Sequence, residues 1–325
     1  MKKFGRPLRL GKIRGIGFEI HYTWFPALLF VTLSLGIAYA EIYPHWSSLT
    51  RWLAALLSAL LLFASVLAHE LAHSLVALKH DVPVKSITLF LFGGVAQITQ
   101  EASSPGAEFR IAIAGPACSF GLAVFLGILW FLSRGPAEFI AGVAGYLALI
   151  NLMLVGFNLA PGFPLDGGRI LRSLIWSRTG DYDLATQIAL RGGKAFSYLL
   201  IAGGIGGTIV LSWTGQGFWV SGLWLALVGW FLYTAVRGST QGAKIRQGLR
   251  KLTVRSIMLP LNFASFPWPT GIGNQIRPDD DLLSALEKME QVKADQLTVV
   301  EGGKVVGLLR REDLTRLVRW LKKSG

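Results

Sequence analysis

The chain has 325 residues, of which 52% are hydrophobic and only 16% charged, and several apolar stretches approach the roughly 20 residues that a helix needs to cross a bilayer. This composition excludes an ordinary soluble globular protein and indicates a polytopic α-helical membrane protein. The net charge of +13 does not indicate a nucleic-acid partner, because the basic residues cluster at the two ends of the chain, flanking the apolar segments.

Six apolar segments predict transmembrane helices, at about residues 23–40, 52–78, 109–132, 139–158, 195–213 and 217–236. The basic N-terminal segment lacks an apolar core followed by a small-residue cleavage site, so no removable signal peptide is predicted. Lys and Arg are abundant before the first span and after the last, and sparse in the opposite loops. Both termini are therefore predicted to lie in the cytoplasm.

The second span contains the sequence HELAH, a form of the H-E-x-x-H signature. Residues four apart share one face of a helix, so His69 and His73 can bind one metal ion while Glu70, on the adjoining flank, reaches a water molecule. Ionisable residues inside a span are costly and are seldom present without a function. A catalytic zinc also needs a third protein ligand.

Residues 82–108, between the second and third spans, are rich in β-branched and aromatic side chains and contain a Gly-Gly pair. This pattern predicts a strand or hairpin. Lipid-exposed strand edges are not tolerated, so the segment either packs on protein beside a wet cavity or forms an ordinary hairpin in a cytoplasmic loop. Both interpretations stay open.

The best candidate for the third ligand follows the fourth span, in the sequence NLAPGFPLDGG. Pro161, Gly162 and Pro164 interrupt the helix there, and Asp166 enters before a glycine pair. The alternative role for Asp166 is that of a helix N-cap. The other carboxylates considered are expected to be solvated near water interfaces: Glu41, Glu101, Glu108 and Glu138.

The composition changes after the last span. A connector leads to a helix, two strands joined by EGGK, and a second helix, an order that predicts a small α+β module of about 75 residues. A module of that size has a marginal core, so it is expected to pair with a second copy. The predicted domains are residues 1–240 for the membrane part and 241–325 for the module.

Four sequences together resemble the site-2 protease family of intramembrane zinc metalloproteases: HELAH in a span, LFGGVAQI after it, AIAGPACS opening the third span, and FNLAPGFPLDGG after the fourth. The resemblance implies one Zn²⁺ per chain, bound by His69, His73 and Asp166, with Glu70 as the catalytic acid/base. It also implies that Asn151 or Asn158 contacts the scissile carbonyl, although either amide could instead serve helix packing.

The C-terminal sequences VRSIM and LTVVEGGKVVGLLRREDL resemble a CBS motif, which points to the CBS-containing branch of that family. CBS motifs usually occur in tandem, whereas one copy is present here. The implied partners are a second chain, through the CBS-like module, and an adenine nucleotide at a paired CBS site.

The predicted function is that of a zinc endopeptidase in a prokaryotic inner membrane, cleaving single-span membrane proteins near the cytoplasmic side. The alternative is a metal or proton-coupled transporter that uses the same His, Glu and Asp cluster, although transporters commonly show matched interruptions in two halves. For the protease, the β-prone segment from Val84 to Thr99 is expected to pair with an unwound substrate strand through a free edge at Ile87 to Phe92.

Overall fold

The computed structural model describes residues 7–91, 93–98, 100–213, 219–260 and 274–324. The chain divides into two compact units, the first ending at Leu232 and the second beginning at Tyr233. The first unit is a helical bundle with a four-stranded sheet, and the second is a small α+β unit.

The helices of the bundle follow the apolar segments of the sequence. They are α1 (Trp24–Ile42), α2 (Ser48–Lys79), α3 (Pro105–Ser133), α4 (Glu138–Asn158), α5 (Asp166–Thr179), α6 (Tyr182–Trp213) and α7 (Trp219–Arg250), of which α7 continues into the second unit. Ser47 and Ser104 cap α2 and α3, since each side chain accepts a hydrogen bond from the backbone N–H three residues later.

Five helices among the described residues are long and apolar enough to span a membrane: α1, α2, α3, α4 and residues Tyr182–Val210 of α6. Large apolar side chains on their outer faces, such as Phe30, Phe125 and Phe131, are more than half exposed, as expected for surfaces that face lipid. The structure therefore agrees with a helical membrane protein. The sixth predicted span, residues 217–236, overlaps α7, but α7 is not among these five helices, so the count of six stays a prediction.

The sheet of the first unit has the order β1-β2-β3-β4 and contains β1 (Leu8–Ile13), β2 (Ile16–Ile20), β3 (Val84–Phe90) and β4 (Gly93–Ile98). Strands β3 and β4 form the hairpin predicted between the second and third spans. Strand β2 pairs with β3 in parallel, with Gly17 opposite Ser86, so the start of α1 and the end of α2 lie at the same side of the bundle. Ile16, Phe18 and Ile87 bury one face of the sheet against Ala77 near the end of α2.

The position of the free strand edge corrects one expectation. The sequence predicts a free edge at Ile87 to Phe92. Phe92 lies outside the described residues, and β3 is paired on both sides, with β2 and with β4. Proline substitutions there would disrupt the sheet itself, because each would remove a ladder hydrogen bond. Among the described strands, β4 is the one that leaves a free edge beside the helices. The sequence did not reveal this pairing, because the strand that pairs with the other edge of β3 comes from residues 7–20, which lie far earlier in the chain.

The core at the opposite end of the bundle consists of α1, α2 and α4. Leu35 and Tyr39 of α1 pack against Ala54 and Ala55 of α2 and against Leu147 of α4. Small residues let these backbones approach closely, which is how helices associate where lipid removes the hydrophobic driving force.

The second unit has the elements that the sequence predicted. Helix α8 (Leu282–Gln291), strand β7 (Gln296–Glu301), strand β8 (Lys304–Arg310) and helix α9 (Arg311–Ser324) follow one another, and the sheet order is β5-β8-β7-β6 with β5 (Leu259–Pro260) and β6 (Gln275–Ile276). A 3-10 turn, Val254–Ser256, precedes β5. Leu282, Met289, Leu297 and Leu309 form its buried core. Its identity as a CBS motif stays a prediction.

Candidate metal centre

Helix α2 presents both histidines of HELAH from one face. His69 and His73 are 5% and 4% exposed, and their rings meet edge to face with centroids 4.8 Å apart. His69 lies 21 residues after Ser48, about 30 Å along the helix, and about 15 Å before its end at Lys79. The pair is therefore nearer to the end of α2 that adjoins the sheet.

Asp166 reaches this pair from the interruption after α4. Helix α4 ends at Asn158 and α5 begins at Asp166, with the loop 159–165 between them. The loop is anchored on α6, since the Phe163 N–H donates a hydrogen bond to the Ala189 carbonyl. The N-cap position of α5 is Leu165, and no side chain caps the helix. The carboxylate of Asp166 points to the histidines instead of capping α5.

Three ligand atoms converge at the centre. Oδ2 of Asp166 lies 3.1 Å from Nε2 of His69 and 3.1 Å from Nε2 of His73, and the two nitrogens are also 3.1 Å apart. Asp166 is 9% exposed, so all three side chains are shielded from bulk water. Among the described residues, this is the cluster that could hold a metal ion.

Helix α3 fixes the orientation of both rings. Nδ1 of His73 donates to the Ile111 carbonyl at 2.6 Å, and Nδ1 of His69 lies 2.9 Å from Oγ of Ser119. Gly115 lies between these contacts, and a Cβ atom there would overlap Nε2 of both histidines. Hydrogen bonds of this kind set the tautomer of a metal-binding histidine.

The arrangement fits Zn²⁺. A carbonyl only accepts, so Nδ1 of His73 carries a proton and its Nε2 is left free to bind a cation. Zinc–nitrogen and zinc–oxygen bonds of about 2.1 Å would place tetrahedral ligands about 3.4 Å apart, close to the observed 3.1 Å. Burial alone would raise the pKa of Asp166, but its contacts with His69 and His73 lower it to about 2, so the ligand is anionic at neutral pH.

Glu70 lies beside the centre and packs against β4. Its side chain packs on β4 so closely that a Cβ atom at Gly94 would be 2.7 Å from Cγ of Glu70. The backbone of Ala96 also forms a hydrogen bond with its carboxylate. Ala96 pairs with Ile87 of β3 across the hairpin. Glu70 therefore contacts β4, the strand at the end of this sheet order.

The two asparagines are placed differently from the ligands. Asn151 is fully buried, and its Nδ2 donates to Oγ of Ser65 at 3.2 Å and to the Leu147 carbonyl at 2.8 Å, which favours the packing interpretation. Its Oδ1 has no partner among the described residues. Asn158 is the last residue of α4 and is half-buried. A contact of either amide with substrate stays a prediction.

One carboxylate differs from the sequence expectation. Glu108 was expected to be solvated but is 1% exposed, and it forms a buried ion pair with Arg172 of α5. The prediction was wrong because the distance of a residue from the end of a span indicates only its depth in the membrane. It does not reveal whether another helix covers the face on which the residue lies. The roles of Ile111 and Ser119 were also missed. The only signal for them was the AIAGPACS sequence, which ends at Ser119 and directly follows Ile111.

In this helical membrane domain an H-E-x-x-H helix and a separate aspartate converge on one candidate metal centre, an arrangement typical of zinc metalloproteases. Comparison with known proteins agrees. Residues 57–200 match the model of peptidase family M50. The chain is 42% identical over 256 residues to the zinc metalloprotease sll0528 of Synechocystis sp., covering 78% of this chain and 65% of that protein.

Two further proteins extend this comparison. The zinc metalloprotease Rip3 of Mycobacterium tuberculosis is 42% identical over 231 residues, covering 70% of this chain and 57% of Rip3. The solved site-2 protease of Methanocaldococcus jannaschii aligns with 33% identity and a TM-score of 0.49, over 72% of this chain and 94% of that one. The chain therefore contains a peptidase family M50 domain, at residues 57–200, and is similar to zinc metalloproteases. It spans 57 to 65% of the length of the first two relatives.

Proposed function

We propose that the chain is an intramembrane zinc endopeptidase that hydrolyses peptide bonds in or near the transmembrane segments of single-span membrane proteins. The observation that carries this proposal is the convergence of His69, His73 and Asp166 on one point, with Glu70 immediately beside it. Three protein ligands leave a fourth position for water or substrate, which is the pattern of catalytic zinc sites.

Each residue has a distinct task in the proposed reaction. Zinc, when bound, supplies a Lewis acid that polarises the scissile carbonyl and brings the pKa of water toward neutrality. Glu70 does not bind the metal in this scheme, since it takes the proton of the attacking water and returns it to the leaving amine. Asn151 or Asn158 is proposed to hold the carbonyl oxygen.

The free edge of β4 supplies a place for the substrate backbone. A transmembrane helix satisfies its own backbone hydrogen bonds, so it must unwind locally before a peptide bond can reach the centre. An extended substrate strand could then pair with β4, the strand that already touches Glu70. We infer that Gly94 and Ala96, on the side of β4 that faces Glu70, present backbone groups to this strand.

The setting and regulation follow from the same proposal. We propose that the chain crosses the inner membrane of a prokaryotic cell six times, with both termini in the cytoplasm. Cleavage would release a regulatory protein or clear remnant peptides. The second unit is proposed to be a CBS-like module that pairs with its copy in another chain. An adenine nucleotide is the ligand proposed for such a paired site.

The test separates metal binding from hydrolysis. Wild-type protein, purified in bilayer nanodiscs, should contain one zinc per chain by elemental analysis. His69→Ala, His73→Ala and Asp166→Ala should each lose most of it, whereas Glu70→Gln should retain it and lose cleavage of a single-span reporter substrate. Glu41→Gln, which lies at the end of α1, serves as the matched control and should keep both zinc and activity.

Two outcomes would reject the proposal. If Glu70→Gln cleaves the substrate at the wild-type rate, the proton transfer does not involve Glu70. If Asp166→Ala holds zinc as tightly as the wild type, then the third ligand is another residue and the site is not the one described.

A further inference from the structure

The buried ion pair between α3 and α5 has no part in the chemistry described so far. Arg172 is 9% exposed and Glu108 1%. Nε of Arg172 donates to Oε1 of Glu108 at 2.7 Å, and Nη2 donates to the same oxygen. The guanidinium carbon also lies 4.7 Å from the ring centroid of Phe163 and 4.7 Å from that of Tyr182.

These contacts connect the third ligand to the rest of the bundle. Arg172 follows Asp166 by six residues on α5, about 9 Å along the helix axis. Phe163 belongs to the loop 159–165 that precedes Asp166, and Tyr182 begins α6. Arg172 therefore holds α5, the loop before it and the start of α6 against the first turn of α3.

The same face of α3 also holds the histidines. Glu108, Ile111, Gly115 and Ser119 are separated by three, four and four residues, so they line one side of the helix. Ile111 and Ser119 hydrogen-bond the rings, and Gly115 lets the rings approach. Glu108 is the member of this face that reaches toward the element carrying Asp166.

An ion pair in this position is poorly explained by stability alone. Burying two charges is expensive, and replacing such a pair with apolar side chains of similar volume is often neutral or stabilising. Oε2 of Glu108 has no hydrogen-bond partner within the part of the chain that the structure describes, so the desolvation of the carboxylate is only partly compensated. What the pair does provide is one specific register of α5 on α3.

We propose that Glu108 and Arg172 are positioning residues that fix the register of α5 on α3 and so hold Asp166 at the distance from His69 and His73 that zinc requires. The same face of α3 then orients His69 and His73 by direct contact, and it orients Asp166 through the ion pair. The inference rests on the proposed zinc centre, and it concerns the residues that determine the zinc affinity of that centre.

The test compares zinc affinity with stability in the full-length protein. The double variant Glu108→Met/Arg172→Met removes both charges together and leaves side chains of similar length. Zinc affinity is measured by competition with a chromophoric chelator, and the melting temperature is measured on the metal-free protein. Zinc binding should weaken about 10- to 100-fold, the range found for outer contacts of metal ligands, while the metal-free melting temperature stays near that of the wild type.

A matched control isolates the effect of stability. Leu147 is 2% exposed in the core between α1, α2 and α4, so Leu147→Ala should lower the melting temperature and leave the zinc affinity unchanged. Arg172→Lys is the conservative variant, and it should weaken zinc binding less than the double variant because it keeps the charge but loses the paired donors. If the double variant does not fold, Arg172→Lys is the variant on which zinc affinity and melting temperature are compared.

The outcomes are distinct. Wild-type zinc affinity in both the double variant and Arg172→Lys would overturn the positioning role, and so would an equal loss of affinity in Leu147→Ala. A wild-type protein that binds no zinc would instead refute the proposed function itself, which keeps the two failures apart.

Discussion

At the scale of single residues, the orientation of the histidines depends on α3. Oγ of Ser119 lies 2.9 Å from Nδ1 of His69, and outer contacts of this kind raise the affinity of a metal centre. Ser119→Ala should therefore weaken zinc binding about 10- to 100-fold, less than the loss of a ligand would. Chelator competition measures this. Ser58→Ala is the control and should bind zinc normally. Ser58 lies in the half of α2 away from the histidines, and the substitution removes a buried hydroxyl that is hydrogen-bonded to Tyr39 of α1.

Gly115 gives a second prediction at this scale. An added methyl group would overlap Nε2 of both histidines, and the helix backbone cannot move away without breaking the Ile111 contact to His73. We expect Gly115→Ala to abolish stoichiometric zinc binding, as judged by elemental analysis. Gly121→Ala, on the same helix with open space around it, should not. Normal zinc content in Gly115→Ala would show that the rings can rearrange.

The sequence predicted the residues that converge on the centre, because H-E-x-x-H spacing on a helix and a carboxylate beside a broken span are local patterns. It did not predict the partners of those residues. Glu108 was expected in water and lies in the core, since its burial depends on α5, which is some sixty residues further along the chain. Contacts between distant helices leave no periodic signal in one sequence.

At the scale of elements, the free edge of β4 is the feature open to a direct test. Cys118 is the single cysteine, so a Cys118→Ser background allows one new cysteine at a time. Val95→Cys, at a position of β4 that is 48% exposed, should cross-link to a cysteine placed near the cleavage site of a substrate trapped by Glu70→Gln. The measurement is the yield of the disulfide-linked complex on a non-reducing gel.

The control for this cross-link lies at the other edge of the same sheet. Leu10 of β1 is 60% exposed, and Leu10→Cys should give only background yield, because β1 is three strands away from Glu70. Equal yields from the two positions would exclude pairing at β4. The hairpin itself was predictable from its β-branched residues, whereas its correct edge was not, since that depends on the parallel pairing of β3 with residues near the N-terminus.

At the scale of the whole molecule, the distribution of Lys and Arg predicts the orientation in the membrane. Reporter fusions after Gly242 should report the cytoplasm, and fusions after Gly135, between α3 and α4, should report the opposite side. The metal centre would then lie toward the cytoplasmic side, with the end of α2 that adjoins the sheet. A cytoplasmic signal from Gly135 would invert this arrangement.

Pairing through the second unit is tested separately. If two copies associate there, a chain that ends after Arg250 should run as a monomer in native mass measurements, while the full chain runs as a dimer. Zinc content should be the same in both, because the centre lies in the first unit. Identical masses for the two chains would exclude this unit as the site of pairing.

The parallel pairing of β2 with β3 also has a consequence for biosynthesis. Gly17 and Ser86 are partners, and the segment between them comprises both α1 and α2. Closing so long a loop is entropically unfavourable for a free chain, but two inserted helices that pack as an antiparallel pair return the chain to its starting side. The sheet can therefore close only after both helices have been synthesised and inserted. Strand β4, which follows β3, is added later still, so the nascent chain acquires HELAH before it acquires the strand edge beside it. The chain therefore lacks β4, the strand proposed to pair with the substrate, during the period when neighbouring nascent segments are still unfolded.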